Sequence, residues 1–352
     1  MPIKILASDG KQFIRGSGNK VFKACIGVAI SFENPEEFKD RYTEFFEELK
    51  QRYNIHDPRY IFKSYDLKKK FGEKYIVVEE EFASLFDNQT YVNFVFSSFN
   101  TQQMPEVKYY QGDMRATESK NTMEFLNKLQ NYYSYIAAWK IVREASLRGL
   151  EIYVDNFGKQ EITKAWMELK KYNNVKVFPK GDQCNVFISS ADILLDLIDS
   201  KMRVHKTRLD LIEIKNLNKD KIGIENFKVF YCGNKDIDYI VPYSKDEIPK
   251  NDDLACPLIY VVGEEVIRKE SYWIENSKIY PLLLRFAADK NSGIKFISHD
   301  EDFRKVREGD YLLYLGDKGK EKASFLAETL HYPFEVVGLD KILEKYNVKD
   351  LW

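Results

Sequence analysis

The chain has 352 residues, 44% of them apolar, and 54 Lys and Arg set against 55 Asp and Glu leave a formal net charge of −1. That length carries two domains or one unusually large one, with apolar side chains enough for a real core. The near-neutral balance excludes a polyanion binder acting through a global positive field, so any nucleic-acid site has to be a local basic patch.

In chain order, residues 3–8 and 21–32 read as strands, the second apolar and bounded by turn-formers. Residues 35–53 have helical spacing, with Phe38, Tyr42, Phe45, Phe46 and Leu49 on one side. A helix over 75–86, a strand over 91–99 and a long helix over 119–148, stopped by Gly149, follow. Next come strand 151–155, helix 160–171, strand 174–178 and helix 190–203. From about residue 205 the texture changes, with a charge-rich, poorly periodic stretch through Asp220. Strands are expected at 226–232 and 237–243, a polar loop at 245–253, strand 258–262 and a helix over 272–289. The remainder alternates: strand 294–298, helix 300–307, strand 310–315, helix 319–331, strand 333–337 and helix 339–346. Such alternation predicts a second α/β unit with parallel strands. The expected organisation is an α/β domain over 1–208 and a smaller α/β domain over 209–352.

Acidic residues supply the feature that points most clearly to chemistry. Asp9 ends the apolar run Ile5-Leu6-Ala7-Ser8, Asp155 ends Ile152-Tyr153-Val154, and Asp192 lies in the helical stretch Ser190 to Asp199. Carboxylates remote in sequence, two at strand tips and one on a later helix, are what pins divalent metals at a sheet edge. Each has an ordinary alternative. Asp9-Gly10 is a hairpin-turn signal, Asp155 before Asn156 fits a strand-end turn or helix cap, and Asp192 fits a first helical turn, where an acid favours the dipole.

Taken together, Ser8-Asp9-Gly10, Tyr153-Val154-Asp155 and Ala191-Asp192 resemble the ribonuclease H-like fold, in which an Asp lies on the first strand, a second ends a later strand and a third acid sits on a terminal helix. Within that group the chain is similar to the DUF3800 family, whose late helix looks like Cys184 to Leu194 here. The resemblance covers residues 1–205. The family commonly has Glu after its first Asp, where this chain has Gly10. Further ligand candidates are Glu79 in the run Glu79-Glu80-Glu81, Asp66 and Asp182; a glutamate run is more often a solvated helix face.

The resemblance implies a ribonuclease H-like mixed sheet with flanking helices and a metal-dependent nuclease acting on DNA or RNA, with Asp9, Asp155 and Asp192 catalytic. Carboxylate oxygens are hard ligands suited to Mg²⁺ or Mn²⁺. Two such ions about 4 Å apart would activate a water and steady the leaving oxygen in phosphodiester hydrolysis. Lys11, Lys63 and Lys159 are placed to hold substrate phosphate, although lysines are more often plain surface charges. His205, following the Asp192 helix, could approach the acids. The alternative is a non-catalytic ribonuclease H-like interaction or nucleic-acid-binding module, with a small-ligand or nucleotide site in the C-terminal domain.

Other features are weaker. The 23 Tyr and 24 Phe suit base stacking, but an aromatic core is the commoner use, and this includes Tyr132, Tyr133, Tyr135 and Trp139 on the long helix. Cys25, Cys184, Cys232 and Cys256 have no C-x-x-C spacing and His56, His205, His299 and His331 do not cluster, so neither a structural zinc nor an imidazole site is expected. Gly316 to Lys320 reads as a tight turn rather than a phosphate loop, because it fits neither glycine-rich spacing. Ser298-His299-Asp300, at the end of an expected parallel strand, is a place for a ligand. Abundant Lys, Glu, Ile and Tyr with scarce Gln lean toward a hot-environment source, a thermophile. With no basic-then-apolar leader and no membrane-length apolar run, a cytoplasmic protein is expected.

Overall fold

The computed structural model describes residues 4–17, 20–100, 150–155, 175–202, 219–232, 258–263, 279–296, 306, 309–330 and 335–348. They form a mixed α/β architecture with two sheets. The first has six strands in the order β5-β4-β1-β2-β3-β6, where β1 is Ile5–Ser17, β2 Lys20–Phe32, β3 Thr90–Asn100, β4 Glu151–Asp155, β5 Val175–Phe178 and β6 Phe227–Cys232. Strands β1, β2 and β3 form an antiparallel meander; β4 and β5 add in parallel at the β1 edge, and β6 adds in parallel to β3.

One face of this sheet is covered by helices α1 (Pro35–Arg52), α2 (Ser64–Phe71), α3 (Tyr75–Ala83) and, after a short α4 (Gly181–Cys184), α5 (Val186–Met202). Helix α1 forms because its ends and its stripe agree. Pro35 opens it, Glu36 and Glu37 face the positive N-terminus, and Lys50 and Arg52 face the negative C-terminus. Its buried side, Phe38, Tyr42, Phe46 and Leu49, enters a core shared with Ile5, Ala7, Ile30 and Phe32 from the sheet and Ile188, Ala191 and Leu195 from α5. Burying a side chain of that size contributes roughly 2 kcal/mol. The abundant aromatics are used as core here: Phe38 lies 4.5 Å from Phe32 and 5.5 Å from Phe86, ring to ring, and Phe46 4.9 Å from Phe62. Leu6, Ala29, Ile152 and Val154, of opposite strand parity, are also buried, so the sheet is covered on both faces.

A short helical turn, α6 (Lys219–Ile222), precedes β6, whose pairing with β3 carries the first sheet past the expected boundary at 208/209. The second sheet is entirely parallel, in the order β10-β9-β7-β8, from β7 (Leu258–Val262), β8 (Gly293–Phe296), β9 (Tyr311–Tyr314) and β10 (Glu335–Gly338). Helices α7 (Tyr280–Asp289), α8 (Gly316–Leu330) and α9 (Leu339–Lys345) flank it. The two sheets communicate through Tyr60–Asp289, Arg285 to the Pro58 carbonyl, and Tyr280–Gln183. Among the described residues no helix is long and apolar enough to cross a membrane.

Several element boundaries differ from expectation. The first strand runs to Ser17 and pairs Asp9 with Val28, so Asp9-Gly10 is strand interior and not a hairpin turn. Helix α5 begins at Val186, which places Asp192 in its body rather than its first turn. Gly316 to Lys320 is the first turn of α8, not a preceding loop; Gly316 has a positive φ of 72°, and a Cβ on Gly319 would sit 2.8 Å from the Val262 carbonyl. The expected helices at 119–148 and 160–171, strand 237–243 and the Ser298-His299-Asp300 segment lie outside the described residues.

Candidate metal centre

Ser8 pairs with Val154 in parallel register, so Asp9 and Asp155 are the next residues along adjacent strands. By strand alternation they share the parity of Ile5, Ala7 and Tyr153, which face α1 and α5. Helix α5 crosses that face and supplies Asp192; the turn between β5 and α5 supplies Asp182. The fold therefore gathers Asp9, Asp155, Asp182 and Asp192 from four separate segments.

Their electrostatics show that they act on one another. Burial pushes the Asp9 carboxyl well above its ordinary range, and the charges of Asp192, Asp155 and Asp182 push it further. Asp182 is raised to about 7, first by burial and then by Asp155, with Lys63 opposing. Burial also raises Asp192, against the Ser64 hydrogen bonds that lower it. Like charges that raise each other's pKa mark a site short of positive charge.

Backbone donors orient the set. The Ser64 amide, opening α2, donates to Asp192 Oδ2 at 2.6 Å, and the Gly181 amide donates to Asp155 Oδ1 at 2.6 Å. The lack of a side chain at Gly181 favours that approach, because a Cβ there would lie 2.6 Å from Ile188 Cδ1 and 3.3 Å from Asp155 Oδ1. Lys180, just before it, sits in the left-handed region at φ 55°. The segment leading into α2 is fixed from beneath: Tyr42 Oη accepts from the Phe62 amide at 3.1 Å and meets Ser189 Oγ at 2.6 Å. Lys63 Nζ lies 3.6 Å from Asp182 Oδ2 and is the cation that opposes the raised values of both Asp182 and Asp192.

The other candidates fall differently. Asp66 is engaged elsewhere: its Oδ2 accepts from Arg59 Nη1 at 3.0 Å, in a half-buried network where Arg59 and Lys70 also pair with Asp57. Glu79 is fully buried on α3 while Glu80 is exposed, so the glutamate run is only in part a solvated face. It lies beside Asp196, one turn along α5 from Asp192. Burial and then the Asp196 charge raise it to about 9, so it carries a proton at neutral pH. Neither Glu79 oxygen accepts a hydrogen bond among the described residues, and the protonated acid can itself donate to Asp196, which Lys68 pairs at 2.6 Å. Asp196 and the Gly181 amide escaped the sequence reading; the spacing Asp192-x-x-x-Asp196 was the available signal for the first. Lys11 belongs to β1, with its side chain outside the described residues, and Lys159 and His205 lie outside them altogether.

Among the described residues, no three His, Cys, Asp or Glu side chains are drawn close enough to hold an ion as they stand. Coulombic coupling reaches further than coordination, and these carboxylates are coupled without being closed on a common centre. The donor chemistry suits a hard cation: carboxylate oxygens that repel one another, with Lys63 as the nearby opposing charge.

Comparison with known proteins places the chain. Residues 6–251 match the family described as a domain of unknown function, DUF8203, a span that includes all four aspartates and ends before β7. An uncharacterized protein of Archaeoglobus fulgidus is 39% identical over 97% of this chain and 99% of its own length. No solved structure matches significantly. The chain belongs to the DUF8203 family.

Proposed function

We propose that this protein is a metal-dependent nuclease whose first sheet is ribonuclease H-like. The observation that carries the reading is the mutual elevation of Asp9, Asp182 and Asp192 by burial and by neighbouring carboxylates, on segments that converge at one end of the β1–β4 pair. The antiparallel β1–β3 meander, the parallel β4 and β5 at its edge, and a late helix bearing the third acid all support the fold reading. The likeness to DUF3800 belongs to the same proposal.

Asp9, Asp155, Asp182 and Asp192 would hold Mg²⁺ or Mn²⁺. When bound, the ion supplies positive charge against the scissile phosphate and activates the attacking water. The chain's own contributions are distinct. The amides of Ser64 and Gly181 fix the rotamers of Asp192 and Asp155, so that these carboxylates are presented rather than searching. Lys63, 3.6 Å from Asp182, would be the cation available to a phosphate oxygen beside the acids. Glu79, protonated, keeps the region behind Asp192 from adding another negative charge.

The test is manganese-dependent hydrolysis of DNA and RNA oligonucleotides. Asp155→Asn lowers turnover by more than ~100-fold, the scale associated with disturbing a metal's ligand environment, while circular dichroism stays native. Unchanged turnover removes Asp155 from the chemistry. A second reading, a non-catalytic module of the same fold, draws on the lack of a closed ligand set among the described residues. Calorimetric titration with Mn²⁺ separates them: saturable binding lost in Asp9→Asn favours the nuclease, and no binding favours the module.

A further inference from the structure

Helix α2 carries an unusual outward face immediately beside the acidic centre. Its first residue, Ser64, is tied through its amide to Asp192. The next, Tyr65, is 63% exposed, while Leu67 on the opposite side is buried in the core. Lys63 Nζ sits 5.9 Å from the centre of the Tyr65 ring and, at the same time, 3.6 Å from Asp182. One turn further, at the i+4 position that shares the Tyr65 face, lies exposed Lys69. Lys68 and Lys70 are committed to Asp196 and Asp57, whereas Lys69 pairs with no carboxylate among the described residues. Asp66, the acid nearest to this face in sequence, is neutralised by Arg59.

From this arrangement we infer that the Tyr65 face of α2 is a landing platform for single-stranded nucleic acid, delivering an unpaired strand to the acidic centre. The inference rests on the nuclease reading and names its substrate form. An aromatic ring held outward on a helix can stack only on a base whose face is open. In a duplex both faces of each internal base are already covered by its neighbours. Flanking ammonium groups answer the phosphates on either side of such a base, and interleaved aromatics and lysines are the usual means of holding single strands without reading sequence. A local platform is also what a chain of net charge −1 requires, because it has no global field to attract a polyanion.

The test uses the full chain and a labelled, hydrolysis-resistant phosphorothioate oligothymidylate of about 20 nucleotides, longer than a typical single-strand site, followed by fluorescence anisotropy with Mn²⁺ present. A duplex of the same length is the comparison. Tyr65→Ala should weaken oligothymidylate binding about tenfold, the effect of losing one stacked base, with duplex binding and Tm unchanged. Tyr65→Trp should retain or improve binding. Lys69→Ala should weaken binding and reduce the salt slope by about 0.7. The inference is overturned if the wild-type chain does not bind oligothymidylate, if Tyr65→Ala binds as wild type, or if duplex binding falls equally. Manganese-dependent cleavage with a silent Tyr65→Ala removes the platform alone. Tyr65-dependent binding without cleavage removes the nuclease alone.

Discussion

Two acidic clusters lie side by side in this molecule, and they behave oppositely. Asp57 is buried, which by itself would raise its carboxyl, yet hydrogen bonds and charges from Arg59 and Lys70 outweigh burial and hold it at about 2. Asp182, half-buried, has Lys63 at 3.6 Å and three acidic neighbours, and rises to about 7. Residue type is the same, and Asp57 is if anything the more enclosed of the two; the count of cations differs. The first cluster is complete without a ligand and holds the loop before α2 in place. The second is left short of positive charge, and such a deficit in a convergent site is where function is sought.

This contrast can be broken from the structural side first. Asp57→Asn leaves Arg59 and Lys70 without their shared counter-charge in a largely buried setting, and should cost about 3 kcal/mol in a urea-unfolding measurement. Asp9→Asn should instead hold or raise the stability of the metal-free protein, since it removes a repelled carboxylate. Equal losses in the two variants would erase the distinction between the clusters.

Acidity and metal sharpen the contrast next. Asp57 contributes stability that is fully present above its unfolded value and is lost as pH falls toward about 2. Asp182 does the reverse: its contribution is present below about 4 and is lost as pH rises through about 7. The metal-free protein should therefore lose Tm between pH 4 and pH 8, and Asp182→Asn should flatten that slope. Mn²⁺ at a hundredfold excess over its Kd should add about 2.7 kcal/mol, or roughly 5 °C in Tm. The gain should be larger at pH 8 than at pH 5, because protons compete for the same oxygens. A Tm that rises with pH in the absence of metal, or a manganese shift independent of pH, contradicts the assignment.

The smallest expected effect is steric. Gly181→Ala places a Cβ against Ile188, Phe178 and Asp155. It should cost about 1 kcal/mol through overpacking and weaken Mn²⁺ affinity several-fold in calorimetry, by displacing the amide that orients Asp155. Full manganese affinity in this variant shows that the Gly181 amide does not set the carboxylate.

Much of this architecture was legible in the chain. The stripe of Phe38, Tyr42, Phe46 and Leu49 marked α1 and its buried side, because helical period and apolar burial coincide. Strands β4 and β7 were readable from their short apolar runs, and the alternation after residue 258 foretold a parallel sheet. Asp9, Asp155, Asp182 and Asp192 could be nominated, since acids next to buried runs are conspicuous. Asp9-Gly10 was open to misreading because the same dipeptide serves a hairpin turn, and only the long partner strand β2 forces it into the ladder. The start of α5 was signalled by Asn185, whose Oδ1 accepts from the Phe187 and Ile188 amides as a helix cap, but the apolar run Val186-Phe187-Ile188 after it has no helical period to tell helix from strand.

Sequence alone determined the secondary structure that local periodicity encodes and the list of candidate acids. Tertiary structure decided which acids belong together. It sent Asp66 to Arg59 and Glu79 to Asp196, joined β6 to the first sheet, and set the amides of Ser64 and Gly181 against Asp192 and Asp155. The physical reason is that a carboxylate's charge state and partner depend on what lies within a few ångströms, and those neighbours come from distant segments, such as Ser64 and Asp192, 128 positions apart, or Tyr60 and Asp289, 229 apart.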